Sequence, residues 1–197
     1  MSQRIKTLML LLSGLLLIAG CGQTPPETST SQVWSVNQNR YVSKVFGPPE
    51  GAIVITMASW CKFCAWEAKW QEPSLIAWAH QHHIKVYLLD ISGYGGIGIP
   101  GPLSNSGAGL DQVTRLSSSH QMAQLVATMQ EYARHFHVSP TIIYLDPKGS
   151  TIFAKETKFI PSMFFLNKTG NIVKHLDQVQ TASHLEQVAA QLGLGKA

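Results

Sequence analysis

The residues with the clearest chemical meaning are two cysteines, Cys61 and Cys64, which enclose Lys62 and Phe63. They follow an apolar, β-branched run and precede residues with helical spacing, so they are expected where a buried strand turns into a helix. The N–H groups and partial positive charge of a helix N-terminus stabilise a thiolate, and Lys62 adds a cation beside it. Cys61 is therefore the expected nucleophile, and Cys64, one turn further along, is placed to attack a mixed disulfide.

Other uses of the cysteine pair have weaker support in the sequence. A structural disulfide that closes a ring of four residues would constrain the unfolded chain little. A zinc site needs two further ligands, and the eight histidines have no matching spacing. Attachment of c-type haem needs a histidine where Ala65 stands, and a peroxidase would need a lone activated cysteine in different surroundings. We expect no metal and no cofactor besides a redox-active disulfide.

The N-terminal region has the composition of an export signal. Arg4 and Lys6 precede an apolar run at residues 8–18, which is too short to span a bilayer, and small residues lead to Cys21. The total of three cysteines leaves one outside the pair. Residues 18–21 resemble the lipobox of bacterial lipoproteins, which implies a lipidated Cys21; an ordinary signal peptide with a chance cysteine is the alternative.

The sequence predicts three parts: a signal peptide at residues 1–20, a lipidated N-terminus with a flexible tether at 21–32, and one domain at 33–195. Residues 22–32 contain two prolines and no aliphatic or aromatic side chain, a composition typical of linkers. Loss of the two cations in residues 1–20 lowers the formal net charge from +4 to +2, which is too small to indicate nucleic-acid binding. We expect an extracytoplasmic protein held on a bacterial membrane by its lipid.

Hydrophobic periodicity predicts an α/β domain with a mixed sheet. Strands are expected at residues 51–59, 84–91 and 141–145, and a hairpin of two strands at 162–176. Helices are expected at residues 61–83, where Pro73 should kink or restart the helix, at 121–136 and at 181–192. Residues 150–159 suit a short helix. The segment 92–117, rich in glycine, proline and serine, is expected to be an exposed loop.

The segment from Ala58 to Cys64 resembles the active-site signature of the thioredoxin superfamily, and the exported setting is similar to its TlpA-like branch. The resemblance implies a thioredoxin fold: a central mixed sheet flanked by helices, with an extra strand–helix insertion before the C-terminal hairpin. It also implies a cis-proline opposite the cysteines. Pro140 and Pro161 compete for that place, and the similarity of residues 164–173 to the family hairpin favours Pro161. The backbone of Ile160 would then pair with an extended substrate.

The same resemblance assigns a role to Glu67, which stands three residues after the second cysteine. In the family this carboxyl group handles protons near the pair; a solvated carboxylate in the first helical turn is the alternative. Trp60, with Trp66 and Trp70, is expected either in a substrate groove or in the core.

The chain departs from the family pattern at two places that affect the redox chemistry. Lys62 and Phe63 stand between the cysteines instead of the commoner Gly-Pro or Pro-Pro, and these residues help to set the thiol pKa and the reduction potential. Ile55 stands where cytoplasmic thioredoxins hold a buried aspartate, which leaves Glu67 as the nearest candidate for proton transfer.

Two functions from different classes are compatible with these residues. The first is a membrane-anchored thiol–disulfide oxidoreductase, expected to act as a reductant, that exchanges disulfides with cysteine-containing exported proteins and takes electrons from a membrane partner. Reduction of apocytochrome c before haem attachment is the best-known work of the family. The second is a non-catalytic thioredoxin-like binding lipoprotein with a structural disulfide. A Cys61→Ser change should abolish exchange only if the first is right.

Overall fold

The computed structural model describes residues 32–43, 46–47, 50–59, 61–92 and 119–195, without the side chains of 119–121. The strands in these ranges are β1 (Val33–Ser35), β2 (Arg40–Val42), β3 (Ala52–Met57), β4 (Lys85–Asp90), β5 (Ile143–Leu145), β6 (Ser162–Leu166) and β7 (Ile172–Asp177). The α-helices are α1 (Lys62–Trp70), α2 (Glu72–Gln81), α3 (Ser119–Phe136), α4 (Ile152–Glu156) and α5 (Ala182–Gln191).

The seven strands form one mixed sheet in the order β2-β1-β5-β4-β3-β6-β7. β3 pairs in parallel with β4, and β4 pairs in parallel with β5; the other neighbouring pairs are antiparallel. β3 lies near the centre and all six of its residues are buried. A strand covered on both faces explains why its sequence is an apolar run, broken only by the buried Thr56, without alternation.

Two apolar clusters lie on the opposite faces of the sheet. Along β3, Ile53, Ile55 and Met57 belong to the larger cluster, which also contains buried residues of α1, α2, α3 and α5. Ala52 and Val54 belong to the smaller cluster, to which α4 contributes Phe153 and Ala154. The sheet is therefore flanked by helices on both faces, and the expected α/β fold class is confirmed.

The structure refines several predicted elements. The helix expected at residues 61–83 is two helices separated at Gln71, with Pro73 in the first turn of α2, so the proline restarts the helix as expected. The strand expected at residues 141–145 is shorter, because Pro140–Ile142 form a 3-10 turn. The hairpin β1–β2 was not predicted. The predicted loop 92–117 lies outside the described residues, apart from Ser92.

A buried carboxylate holds the connection between β5 and α4. Asp146 is fully buried and accepts four hydrogen bonds, from the backbone N–H and the hydroxyl groups of Ser150 and Thr151, at distances of 2.7–3.1 Å. Thr151 in turn caps α4 by accepting a hydrogen bond from Ala154 N–H. These contacts place α4 and the segment that leads into β6. Within the described ranges, no helix is long and apolar enough to cross a membrane.

Candidate functional site

Cys61 and Cys64 lie at the junction of β3 and α1 and form a disulfide with a Cα–Cα distance of 5.2 Å. Cys61 is the N-cap of α1: its backbone N–H donates to Ala58 O at 3.0 Å, and its Sγ accepts from the Cys64 N–H at 3.1 Å. Cys61 is 4% exposed and Cys64 is 1% exposed. The first turn of α1 therefore points the Cys64 N–H at the Cys61 sulfur, and a donor at a helix N-terminus stabilises a thiolate once the disulfide is reduced.

The segment before β6 lies directly against this sulfur. The Ile160–Pro161 peptide bond is cis, as expected for Pro161, whereas Pro140 lies in the 3-10 turn. The Ile160 carbonyl oxygen is 3.8 Å from Cys61 Sγ. In the disulfide this sulfur carries no proton, so the distance is a contact and not a hydrogen bond. Ser162 anchors the segment, because its Oγ lies 2.7 Å from Asp177 Oδ1 on β7.

Glu67 is buried in α1, one helical turn after Cys64, and is only 1% exposed. Its Oε1 accepts a hydrogen bond from the Gln180 N–H at 2.8 Å, and its Oε2 has no partner within the described residues. Burial raises the pKa of Glu67 to about 8, although the hydrogen bond from Gln180 opposes the shift. The interpretation of Glu67 as a solvated carboxylate is wrong, because the side chain does not face water.

A second buried carboxyl group, Glu72, lies at the start of α2 and was not predicted from the sequence. Glu72 is 1% exposed, and neither of its oxygens has a hydrogen-bond partner in the described part of the chain. Burial, followed by the nearby charge of Glu67, raises its pKa well above the ordinary value. A signal was present: Glu72 shares its helix face with Leu75 and Ala79, both of which are buried.

Two more buried ionisable groups complete this cluster. Asp90, at the end of β4, accepts hydrogen bonds from the backbone N–H and the hydroxyl of Ser92, and Ser92 Oγ accepts from the Ser59 N–H at 2.9 Å. Burial raises the pKa of Asp90 to about 6, with the hydrogen bonds opposing the shift. Tyr132 on α3 is 1% exposed, and burial, then the charges of Glu72, Glu67 and Asp90, raises its pKa.

The other residues singled out in the sequence have different surroundings. Lys62 is exposed. Trp66 and Trp70 are 43% and 58% exposed, so they do not form the core that was one of the two alternatives. Trp60 and Cys21 lie outside the described residues. Within the described ranges, no group of three or more His, Cys, Asp or Glu side chains is arranged to hold a metal ion.

No protein-family model matches this sequence, and no curated protein matches it. Solved structures do match its fold. StoA from Bacillus subtilis is 17% identical with a TM-score of 0.50, and the match covers 81% of this chain and 97% of that one. A secreted Mycobacterium tuberculosis disulfide oxidoreductase homologous to E. coli DsbE is 13% identical with a TM-score of 0.52, covering 82% and 96%. The exposed lipoprotein thioredoxin from Streptococcus pneumoniae is 14% identical with a TM-score of 0.54, covering 83% and 99%.

At these identities the likeness is one of fold. The chain has a thioredoxin fold, with a CxxC pair at the start of the helix that follows a central strand. Among the matched structures, the one from Mycobacterium tuberculosis is described as secreted and the one from Streptococcus pneumoniae as an exposed lipoprotein.

Proposed function

We propose that this protein is a thiol–disulfide oxidoreductase that uses Cys61 and Cys64 to exchange disulfides with cysteine-containing proteins. The observation that carries the proposal is the position of the pair: Cys61 Sγ lies between the N-terminus of α1 and the Ile160 carbonyl oxygen, 3.8 Å away. A helix N-terminus stabilises a thiolate by its N–H groups and its partial positive charge, and the Ile160 carbonyl supplies backbone for an extended substrate. The matched disulfide oxidoreductases share this fold.

We propose that the exchange runs in the reducing direction. The Cys61 thiolate attacks one sulfur of a substrate disulfide, which forms a mixed disulfide and releases the other substrate sulfur as a thiolate. The Cys64 thiolate then attacks Cys61 Sγ, which releases the second substrate thiol and forms the Cys61–Cys64 disulfide. The substrate gains two electrons and two protons, and the protein loses them. A membrane electron donor then returns the pair to the dithiol.

In this scheme Glu67 handles the proton of Cys64. Cys64 must lose a proton before it attacks, and Glu67 lies on the same helix three residues further on, which places the two side chains on neighbouring turns. A group with a pKa of about 8 exists in both protonation states near neutral pH, and proton transfer is most efficient when the pKa lies near the working pH. Glu72 adds a second carboxyl group behind it.

We place the protein outside the cytoplasm, anchored through a lipid on Cys21, with exported proteins as its substrates. Support comes from the sequence pattern of residues 1–20, which has the composition of an export signal, from the linker-like composition of residues 22–32, and from the described settings of two matched structures. Apocytochrome c is one candidate substrate, through the resemblance to the TlpA-like branch.

The test is the reduction potential of the Cys61/Cys64 couple, measured against a glutathione or dithiothreitol buffer, together with exchange activity. A reduction potential of about −270 mV indicates a reductant, and a reduction potential of about −120 mV indicates an oxidant that forms disulfides. Cys61→Ser should abolish exchange, while Cys64→Ser should accumulate the mixed disulfide. A pair that resists reduction below about −300 mV, or a Cys61→Ser protein with full activity, would falsify the proposal in favour of the binding lipoprotein.

A further inference from the structure

Large exposed hydrophobic side chains concentrate around the disulfide. Six such residues occur in the described part of the chain, and four of them lie on the two segments that enclose Cys61. These four, which we call the aromatic surface, are Phe63 (51% exposed), Trp66 (43%), Trp70 (58%) and Phe159 (54%). The other two, Tyr41 and Val173, lie on β2 and β7, the edge strands of the sheet. Exposed aromatic side chains gathered in one place mark a binding site.

The aromatic surface borders the reactive sulfur on both sides. Phe63, Trp66 and Trp70 are spaced at i, i+3 and i+7 in α1, so they form one stripe that begins between the two cysteines. Phe159 immediately precedes Ile160, whose carbonyl oxygen is 3.8 Å from Cys61 Sγ. A partner on this surface therefore meets the disulfide as well.

The same two segments are positively charged. In residues 62–71 and 155–160 the exposed charged side chains are four lysines, Lys62, Lys69, Lys155 and Lys158, and one glutamate, Glu156. Glu67, the remaining acid of these segments, is buried. Lys69 Nζ lies 4.7 Å from the centre of the Trp70 ring. None of the ion pairs found among the described residues involves these lysines. Their charge is free to attract carboxylates of a partner.

We propose that the aromatic surface binds an extended segment of the substrate that carries apolar side chains and carboxylates beside its cysteine. The inference rests on the proposed function and names its substrate class. Cys61 is 4% exposed, so a narrow chain with a protruding cysteine reaches its sulfur, while a flat bilayer or a second folded copy does not. The aromatic rings then cover the apolar side chains, and the lysines face the carboxylates.

The test uses the full chain carrying Cys21→Ser and Cys64→Ser, so that Cys61 is the one thiol left. Short peptides carry a single cysteine joined by a disulfide to uncharged 2-mercaptoethanol. The Cys61 thiolate attacks the peptide sulfur, the new bond joins Cys61 to the peptide, and 2-mercaptoethanol leaves with the displaced electron pair. The flanking residues are leucine with aspartate, leucine with lysine, or serine with aspartate.

The leucine–aspartate peptide should react fastest. We expect it to exceed the serine–aspartate peptide about tenfold, because an apolar side chain is taken out of water. It should exceed the leucine–lysine peptide roughly fourfold at low salt, and this second preference should vanish near 1 M salt, where the screening length is about 3 Å. Trp70→Ser should remove the leucine preference, and Lys69→Gln should weaken the aspartate preference.

Matched changes elsewhere serve as controls. Tyr41→Ser removes an exposed aromatic ring from β2, and Lys85→Gln removes an exposed lysine from the start of β4; both variants should keep both preferences. Reaction with the symmetric disulfide of 2-mercaptoethanol should be equal in the parent protein and in these two controls, which shows that the reactivity of Cys61 is unchanged in both. This small disulfide has no apolar or charged flank to bind the aromatic surface.

The outcomes separate this inference from the proposed function. Equal rates for the three peptides, with normal reaction of the small disulfide, would overturn the docking inference and leave the oxidoreductase intact. Failure of the small disulfide and of all peptides to react would overturn the proposed function itself. Two other results would also overturn the docking inference, if the three peptides react at equal rates. In the first, Trp70→Ser abolishes binding to vesicles of anionic phosphatidylglycerol. In the second, Trp70→Ser abolishes a dimer seen in sedimentation. In those cases the occupant is a membrane or a second copy.

Discussion

A buried carboxyl group that keeps its proton to unusually high pH should make the stability of this domain fall as the pH rises. Glu67 is 1% exposed, and its burial raises its pKa from 4.5 to about 8. Glu67→Gln removes the titration with little change of shape. The glutamine carbonyl can still accept the hydrogen bond that the Gln180 N–H donates to Glu67 Oε1 at 2.8 Å.

The magnitude follows from the difference in bound protons. In the unfolded chain Glu67 loses its proton near pH 4.5, whereas in the folded protein it keeps the proton until about pH 8. Between these values the native state holds one proton more, so the free energy of unfolding falls by about 1.4 kcal/mol for each pH unit. The contribution of Glu67 is thus fully present below pH 4.5 and decreases through pH 8. From about pH 5.5 to 7.5 the loss amounts to about 3 kcal/mol.

Urea unfolding of the oxidised protein at about pH 5.5, 6.5 and 7.5 measures this slope. The Glu67→Gln protein should lose stability with pH less steeply than the wild type, by about 1.4 kcal/mol per pH unit. Glu156→Gln, which removes an exposed carboxylate from α4, is the matched control. Parallel stability curves for the wild type and Glu67→Gln would refute the reasoning, since Glu67 would then titrate at the same pH in the folded and unfolded protein.

Two further predictions concern residues that stabilise the fold around the site, Asp146 and Gly51. Asp146→Ala should lower the free energy of unfolding by about 3 kcal/mol, because four donors, two of them on the buried Thr151, lose their acceptor. Asp146→Asn keeps one carbonyl oxygen as an acceptor. It should therefore lower the free energy of unfolding by less in the same urea titration. Gly51→Ala should cost about 2 kcal/mol, because the φ angle is +124° and the new Cβ would lie 2.9 Å from Leu194 Cδ2. Gly47→Ala should be close to neutral, because no atom of the described residues, its chain neighbours aside, lies within 4 Å of its Cβ position. Equal effects of the two glycine changes would contradict this account.

Local sequence predicted the elements that carry strong apolar runs. The central strand β3 is buried on both faces, and its apolar, β-branched run was sufficient to locate it. The hairpin β1–β2 was missed because its strands have three residues each, too few for a period to show. The position of β1 in the sheet depends on β5, since Trp34 pairs with Leu145 far along the chain. Pairing at such separation leaves no local signal.

The start of β5 was predicted too early for a different reason. Thr141 and Ile142 have strand-like side chains, but they follow Pro140, and the hydroxyl of Ser139 accepts a weak hydrogen bond from the Thr141 N–H at 3.4 Å. The proline ring and this cap favour a 3-10 turn over an extended chain. Turn chemistry therefore outweighed β-propensity at these two residues.

Some features of the candidate site could be predicted from the sequence, and others depend on residues far apart in the chain. The spacing of the cysteines is a local pattern, and it located the disulfide. The cis peptide bond at Pro161 was expected only through the resemblance of residues 164–173 to the family hairpin. The burial of Glu67 is not local, because the backbone that caps its carboxyl group belongs to Gln180, 113 residues away. The segment before α5 covers this side of α1: Gln71 Oε1 likewise accepts from the Ala182 N–H at 2.9 Å. Only the folded chain reveals a carboxyl group withdrawn from water.

Helix α1 thereby presents two different surfaces with adjacent residues. Glu67 faces the interior with Glu72 and Tyr132, while Trp66 faces solvent beside the disulfide. If the inner face handles protons and the outer face selects the substrate, changes on the two faces should affect different measurements. Glu67→Gln should alter the pH dependence of exchange and leave the preference among peptides intact. Trp66→Ser should weaken the preference for apolar flanks and leave the pH dependence unchanged. Because both residues lie on one short helix, its position against the sheet sets both properties together.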